Sequence, residues 1–566
     1  MILTISARTI TLQNLPQINA SLVWIGPLAL FSCALLIFVF FVHSSWKTRR
    51  LLSKEHGCQT INTRKHLSYY GLLFGIDFMY DSYRAAASSK FLSNTYALYS
   101  RLGTTWSTRI LGNTVIQTVD PDNLRAVYNT NFRDWGLGNF RVQSFRPLLG
   151  HGIFAIEGAE WRRSRDLLRP AFAKSEVINL EVYEKHFRQL LVAIPGATAD
   201  DGVVDLQPLF FRLTMDSATE VIFGRSIHSL STDKKYSSAA KTLGEAYEKA
   251  KSEIFHNILL YPFGKWRWWS GLMPAVKQVH AFIDPVVEEA IATAQHDQDL
   301  TADEFGEKRP YSFLRELAQR TTCKEKIRGE LLSVLLASRD TTAALLSNTV
   351  FVLARRPDIV SRLLDELAPL EGHPPTYPQL KKLTYLDAVL KESLRLQPVA
   401  PTNTRVATRA TILPRGGGPD GASPVYVAPG TQVVTSIYAL HRDRRLWGED
   451  ADEFEPTRWL PLAANAANAG SGAEAEEGAR RRPGPAHPYA FLPFLAGPRQ
   501  CPGQGLAVAE AGYVVVRLLQ MFCGGGGRAS ANGVRCAPGE EKFDWVEHLA
   551  VTCENKLGCR VVLGGV

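Results

Sequence analysis

The fold of this chain is decided by the ten residues FLAGPRQCPG, which run from Phe494 to Gly503. Glycine adopts backbone conformations that other residues avoid, so Gly497 and Gly503 permit tight turns. Two prolines punctuate the same segment, which therefore predicts a sharply turned loop presenting Cys501. A cysteine in a Gly/Pro-rich turn is also an ordinary structural feature. The role of Cys501 must therefore be judged from the rest of the chain.

The pattern F-x-x-G-x-R-x-C-x-G in this loop resembles the haem-binding loop of the cytochrome P450 superfamily. It fixes five positions within ten residues, which makes it highly specific. The resemblance implies that Cys501 is the axial thiolate ligand of the iron in heme b, whose electron donation favours O–O cleavage. Arg499 would then pair with a haem propionate, and Phe494 would pack beside the thiolate. Gly497 and Gly503 would let the backbone approach the ring closely.

A second match lies about a hundred residues earlier, at Glu392-x-x-Arg395. Alone, two such residues usually form a solvated ion pair on one face of a helix. Here they resemble the E-x-x-R helix of the same superfamily, and Arg458 in FEPTRW follows in the expected order. The resemblance implies a buried, charge-assisted cluster that supports the cysteine loop. Its role is structural.

Further basic residues are expected around the haem propionates. Trp161 and Arg165 are four residues apart, so both side chains can lie on one helical face. They resemble the W-x-x-x-R helix that clamps a propionate. Arg405, in PTNTR, is a weaker candidate for another such contact.

Ala337-Ser338-Arg339-Asp340-Thr341-Thr342 resembles the A-G-x-D-T-T stretch of the superfamily. The resemblance implies that Asp340 and Thr341 act as an acid and an alcohol that relay protons to dioxygen. Ser338 stands where a glycine is usual. Its hydroxyl would narrow the groove for oxygen or add a hydrogen bond, which puts the coupling of electron use to product formation in question.

Hydrophobic periodicity predicts a mainly α (α+β) fold, a single large helical haem domain with small β-sheets. Apolar residues recur at three-to-four spacing over 325–356, which indicates a long helix ended by Pro357. Another helix ends near Leu396. Short β-rich segments follow at 403–437, and 549–563 fits a last hairpin.

The N-terminal region predicts a membrane anchor ahead of that domain. Residues 22–42 contain no charge, and a helix of that length spans roughly the 30 Å hydrocarbon core of a bilayer. Because basic residues follow the span in the linker 43–65, residues 1–21 are expected in the lumen and the catalytic domain, 66–566, in the cytosol. Within that domain, 463–488 is predicted to be a disordered insertion.

Composition excludes several classes of protein. The 566 residues are 45% hydrophobic and carry a net charge of +9, but their basic residues are dispersed, so no nucleic-acid partner is expected. Eight cysteines are too few for a disulfide framework in a chain of this length. Cys553 and Cys559 are read as ordinary strand cysteines.

Several stretches resemble one branch of the superfamily, the microsomal fungal alkane and fatty-acid hydroxylases. They are His56-Gly57-Cys58, FRPLLGHGIF at 145–154, LPRGGG at 413–418 and YALHRD at 438–443 followed by Trp447-Gly448. The resemblance implies a monooxygenase of the endoplasmic reticulum membrane, single-pass, which inserts one oxygen atom from O2 into a lipophilic substrate. Its electrons would come from NADPH through a separate NADPH–cytochrome P450 reductase, and no dinucleotide fingerprint appears in this chain.

Other functions stay open at this stage. Members of the same branch also tailor secondary metabolites such as polyketides and terpenoids, so substrate identity does not follow from the resemblance. A haem-thiolate isomerase or dehydratase would need neither reductase nor proton relay, and Asp340-Thr341 argues against it. A non-catalytic haem protein would need only the cysteine loop.

Overall fold

The computed structural model describes residues 50–51, 53–64, 75–173, 179–231, 233–259, 271–299, 312–461, 484–524 and 530–564. The proposed anchor 22–42, the first part of the linker (43–49) and most of the insertion lie outside these residues. Of the insertion, 484–488 are described, and Pro488–Ala490 form a short 3-10 turn.

Helices dominate, as the periodicity predicts. The first group is α1 Ile76–Ala87, α2 Phe91–Leu102, α3 Pro121–Arg125, α4 Asn139–Leu149, α5 Gly158–Ala173, α6 Leu180–Ala197, α7 Leu206–Phe223, α8 Lys234–Leu259 and α9 Met273–Asp299. The second group is α10 Phe313–Ala318, α11 Lys324–Leu353, α12 Pro357–Leu367, α13 Tyr377–Leu380, α14 Thr384–Leu396, α15 Ile437–Leu440, α16 Arg444–Trp447 and α17 Gln504–Cys523.

The long helix α11 is the axis of the domain. It packs against α7 and α17, and nearly all of its residues after Ile327 are buried. A helix that is buried almost all round lies inside the core and not at its edge. Its predicted end before Pro357 is confirmed, and so is the end of α14 at Leu396.

The sheets are small and lie beside the helices. Their strands are β1 Thr105–Ile110, β2 Asn113–Thr118, β3 Trp135–Gly136, β4 Val203–Asp205, β5 Thr402–Ala407, β6 Thr411–Gly417, β7 Ser423–Val427, β8 Gln432–Ser436, β9 Val534–Cys536, β10 Glu547–Leu549, β11 Cys553–Asn555 and β12 Arg560–Leu563. The largest sheet has the order β1-β2-β8-β5-β3, with β2 and β8 parallel. The β-rich prediction for 403–437 is therefore confirmed.

The prediction of one hairpin over 549–563 is wrong. β10 and β11 form a short antiparallel hairpin, but β12 leaves it and pairs with β4 and β9. Gly558, with φ of +77°, turns the chain away from the hairpin. Cys559 then donates its amide to the Asp205 carboxylate at 2.8 Å, which fixes β12 against β4.

One helix within the described residues is long and apolar enough to cross a membrane, namely α17. Two-thirds of its apolar window is buried inside the domain, and it packs against α11. We therefore assign α17 to the core. It is not the predicted anchor, which precedes residue 50.

Candidate active site

The loop around Cys501 is closed by its own backbone. The amide of Cys501 donates to the Phe494 carbonyl at 3.0 Å, and a 3-10 turn covers Gly497–Arg499. Gly497 has φ of +68°, and a Cβ there would lie 1.9 Å from the Tyr128 carbonyl oxygen. No other residue fits at position 497, so the tight turn expected there is confirmed.

Gly503 does not have the glycine-specific backbone conformation that was expected for it. Its φ is −89°, and a Cβ added to it would make ordinary contacts with Phe172 and the Cys501 sulfur. Neither its backbone conformation nor its protein neighbours demand glycine. Gly503 instead precedes α17, and its amide N–H points to the sulfur of Cys501.

Two opposing effects act on the pKa of the Cys501 thiol, namely burial and nearby polar groups. Burial raises the pKa of its thiol, while the amide groups of Gly503 and Gln504 and the charge of Arg165 favour the thiolate and offset part of that rise. A thiolate is the metal-binding form of cysteine. A metal cation bound to the sulfur would stabilise the thiolate form that burial disfavours. Cys501 is therefore suited to be an axial ligand.

The predicted propionate residues of α5 meet the cysteine loop. Arg165 donates from Nη2 to the Gln500 carbonyl at 2.8 Å, which ties α5 to the loop. The Arg499 guanidinium lies 4.3 Å from the ring centroid of the buried Trp161. The structure therefore brings Trp161, Arg165 and Arg499 to one place.

Arg405 joins them from β5. It is 3% exposed, donates to the Thr404 carbonyl at 3.0 Å and lies 5.2 Å from the Tyr128 ring centroid. Burial, followed by the charges of Arg405 and Arg141, lowers the pKa of Arg499 to about 9. The site therefore gathers buried like charges, which are costly without an anion.

Arg141 on α4 is a member of this cluster that the sequence did not reveal. Burial and the charge of Arg405 lower its pKa to about 10, and within the part of the chain that the structure describes its Nε has no hydrogen-bond partner. Glu157 offsets part of the repulsion, but its carboxylate already accepts the amides of Leu137 and Gly138. No motif marks Arg141, since only the folded chain brings α4 beside β5.

These residues fit a haem. A thiol held by amide donors lies beside a cluster of buried arginines, one of which has an unsatisfied nitrogen. Two carboxylates attached to a flat apolar ring would neutralise that cluster. Cys501 would hold the iron, while Trp161, Arg141, Arg165, Arg405 and Arg499 would hold the propionates.

The predicted alcohol of the relay lies on the one open face of α11. Between Leu331 and Leu353 the helix is buried except at Ala337, Ser338 and Thr341, which share a face. Thr341 Oγ1 donates to the Ala337 carbonyl at 2.6 Å, and Ser338 Oγ donates to the Val334 carbonyl at 2.9 Å. Each hydroxyl therefore donates its only proton to the backbone of α11 and keeps acceptor capacity.

Asp340 lies on a different side of α11, fully buried. Its carboxylate is 2.7 Å from Arg339 Nη1 and 3.1 Å from Lys251 Nζ on α8. Glu248 pairs with both cations, at 2.8 Å from Lys251. Burial would raise the pKa of Glu248, but the charges of Arg339 and Lys251 outweigh it and lower that pKa. No motif marks this four-charge cluster, because Lys251 and Glu248 are far in sequence from Arg339 and Asp340.

The structure brings Glu392, Arg395 and Arg458 together in the interior. Arg395 donates to Glu392 from Nε at 2.9 Å and from Nη2 at 2.8 Å, and Arg458 Nε donates to it at 3.1 Å. Trp459 Nε1 and the Glu455 amide also donate to Glu392. Arg395 in turn binds the His441 and Glu453 carbonyls, so three segments are tied to α14.

A helical domain in which a buried cysteine sulfur lies beside a cluster of buried arginines fits the class of haem-thiolate proteins. Residues 72–523 match the family model for cytochrome P450, which is most of the chain. The chain belongs to the cytochrome P450 family and is a monooxygenase that binds haem through a cysteine thiolate.

Curated relatives cover nearly the same length. The cytochrome P450 monooxygenase himC of Aspergillus japonicus is 38% identical over 518 residues, which are 90% of this chain and 84% of the relative. The cytochrome P450 monooxygenase FPY7 of Fusarium mangiferae is 36% identical over 520 residues, 91% of each chain. Cytochrome P450 52A13 of Debaryomyces hansenii is 36% identical over 505 residues, 86% of this chain and 90% of the relative.

Proposed function

We propose that this monooxygenase hydroxylates a long apolar chain, an alkane or a fatty acid, at or near its end. The observation that carries the proposal is a resemblance beyond the haem motifs. The branch-specific stretches between His56 and Gly448 are similar to fungal alkane and fatty-acid hydroxylases, and several relatives are named cytochrome P450 52A.

The haem, when bound, supplies the site of dioxygen reduction, and the chain's own residues supply protons and position. Thr341 lies on the open face of α11, where its hydroxyl would accept a proton while donating its own to the Ala337 carbonyl, and it would pass a proton on when that bond opens. Asp340 brings protons from the solvent side. Since its carboxylate is held by Arg339 and Lys251, it delivers a proton only when one of these contacts opens.

Electrons come from NADPH through a separate reductase that docks on the cysteine side of the haem.

A transmembrane helix at 22–42 anchors the catalytic domain on the cytosolic face of the endoplasmic reticulum, where lipophilic substrates concentrate. Deleting residues 1–42 should release much of the protein from membranes while the haem spectrum is retained. Complete loss of haem in that truncation would instead give the span a role in folding.

Attack at a chain end needs a narrow channel, because a terminal C–H bond is stronger than one a carbon further in. We assign two parts of its wall, the β10–β11 tip at Leu549–Thr552 and the residues of α11 before Ala337. Val551 at that tip packs against an apolar cluster that contains Leu331 and Leu335. Such walls hold one end of a chain over the reacting centre.

A second candidate function is oxidative tailoring of a secondary metabolite. It is favoured by the relatives outside the 52A group, of which himC matches 90% of this chain, against 86% for cytochrome P450 52A13. Such a substrate is a polyketide or terpenoid with a wider cross-section than an alkyl chain.

One experiment separates the two. The full-length enzyme, reconstituted with an NADPH–cytochrome P450 reductase, is incubated with C12–C18 alkanes and fatty acids. The proposal expects substrate-induced Soret shifts, NADPH consumption and terminal or subterminal alcohols. Absence of both shifts and products across the panel would favour the tailoring function, and product formation without NADPH would indicate a haem-thiolate isomerase.

A further inference from the structure

A cavity of about 400 Å³ lies beside α11 between α7 and α8. Its walls come from three helices and the loop after α7, and they are Phe211, Arg212, Met215, Ser229, Lys241, Gly244 and Arg339. This volume is within the range of sites that hold small organic ligands. None of the residues assigned above to the haem or to the substrate channel lines it.

The charge of the cavity is one-sided. Three of its described lining residues are cations, contributed by α7, α8 and α11, and none of them is acidic. Arg212 is held at the wall, because its Nε donates to the Ser229 carbonyl at 2.7 Å and Ser229 Oγ donates to the Arg212 carbonyl at 2.9 Å. Among the described residues, the ion-pair partner of Lys241 is Glu245, at 3.9 Å, and Lys241 is mostly exposed.

Arg339 forms the inner end of the cavity. It is 7% exposed, and its Nη1 is engaged by Glu248 and Asp340, but its buried Nε has no hydrogen-bond partner among the described residues. A buried donor left unsatisfied is costly, and native proteins usually pair it. This nitrogen is shielded from solvent, so a ligand in the cavity would interact with the positive charge of the Arg339 guanidinium and not with its Nε donor.

Gly244 keeps the cavity open. It lies inside α8, where glycine is less stable than alanine. A Cβ at this position would meet nothing within 4 Å, so no close neighbour explains the missing side chain. A larger residue here would project into open space and occupy the cavity without a clash.

We propose that this cavity binds a small organic carboxylate. The anionic head would lie among Arg212, Lys241 and Arg339, and the apolar part against Phe211 and Met215. Carboxylates match the fork of donors on arginine, and the aromatic and thioether side chains suit a short hydrocarbon portion. The site is separate from the substrate channel and is joined to the proposed relay acid Asp340 through Arg339.

The test is a calorimetric titration of the full-length holoenzyme with sodium hexanoate, with imidazole bound to the haem iron. We expect saturable binding at one site with no change in the Soret band. Hexanol, which lacks the charge, should bind at least about tenfold more weakly. Lys241→Gln should weaken hexanoate binding about five- to tenfold, whereas Lys249→Gln, an exposed change on the same helix, should not.

Gly244→Leu fills the cavity and should abolish hexanoate binding while the reduced CO spectrum stays unchanged. Gly196→Leu on α6 is its control, because a Cβ there also meets nothing within 4 Å but the residue lies outside the cavity. Absence of saturable binding in the parent, or binding that survives Gly244→Leu, would overturn the proposal. Binding accompanied by a Soret shift would also overturn it, since the ligand would then lie at the haem.

Discussion

Glu392→Gln should be among the most damaging single substitutions in the domain. The carboxylate of Glu392 accepts five hydrogen bonds, from Arg395, Arg458, Trp459 and the Glu455 amide. Its side chain and that of Arg395 are 0% exposed, and that of Arg458 is 6% exposed. The amide keeps the shape of the side chain but removes its negative charge, so two buried guanidinium groups lose their counter-ion.

The size of the effect follows from that burial. Breaking a buried ion pair by removing one partner costs about 3–5 kcal/mol, since the remaining charge stays desolvated. Unfolding entropy of roughly 2.1 cal/mol/K per residue gives about 1 kcal/mol/K for a chain of this length. The apparent Tm should therefore fall by about 3–5 °C, and the fraction of protein that carries haem should fall with it.

The assay is haem content and thermal unfolding of purified protein, read as the ratio of Soret to protein absorbance and as Tm. Asp387→Asn is the matched control, because it removes the ion pair to Lys391 on the same helix, where both side chains are nearly half exposed. Exposed pairs contribute about 0–1 kcal/mol, so this variant should resemble the parent. A Glu392→Gln protein no less stable than Asp387→Asn would refute the structural role of the cluster.

Three further predictions follow from the site and the core. Cys501→Ala should lose the red-shifted Soret band of the reduced, CO-bound protein, and an unchanged spectrum would remove Cys501 as the ligand. Thr341→Ala should keep haem and substrate binding but divert NADPH to hydrogen peroxide. If product still accounts for as much NADPH as in the parent, Ser338 becomes the first alternative on the same open face. Burial raises the pKa of Glu510 to about 7, although the Ser217 hydrogen bond and the charge of His186 lower it. The folded protein therefore keeps a proton that the unfolded chain releases near pH 4.5, so this group's contribution to stability is lost as pH rises to 7. In denaturant titrations, Glu510→Gln should be more stable than the parent at pH 8, by up to about 3 kcal/mol, and equal to it near pH 4.5. Equal stability of the two proteins at both pH values would contradict the raised pKa of Glu510.

Local patterns in the sequence predicted the parts of the site that a short segment can encode. The Cys501 loop closes on itself through backbone contacts, and Glu392 and Arg395 are one helical turn apart. Arg141 could not be found in this way. Its proximity to Arg405 and Arg499 arises only when α4, β5 and the cysteine loop meet, and no spacing along the chain records that meeting.

The difference between local and long-range encoding also explains which parts of the fold could be predicted. A 30-residue buried helix carries its own periodicity, so α11 was predictable nearly to its ends. The terminal strands were not, because short strands take their partners from distant segments. β12 pairs with β4, more than three hundred residues earlier, in place of the nearby β11. Alternation of side chains shows that a segment is a strand and leaves its neighbour undetermined.

The arginine cluster makes cofactor supply a determinant of how much protein a cell retains. The guanidinium groups of Arg141, Arg405 and Arg499 are buried and repel one another, which destabilises the folded state. A dianion bound among them relieves this repulsion and stabilises the fold. By mass action, a ligand present at a thousand times its Kd stabilises a protein by about 4 kcal/mol. Cells short of haem precursors would thus lose the polypeptide to proteolysis as well as its activity. Yield during recombinant production should rise with added 5-aminolevulinate even when messenger RNA is constant.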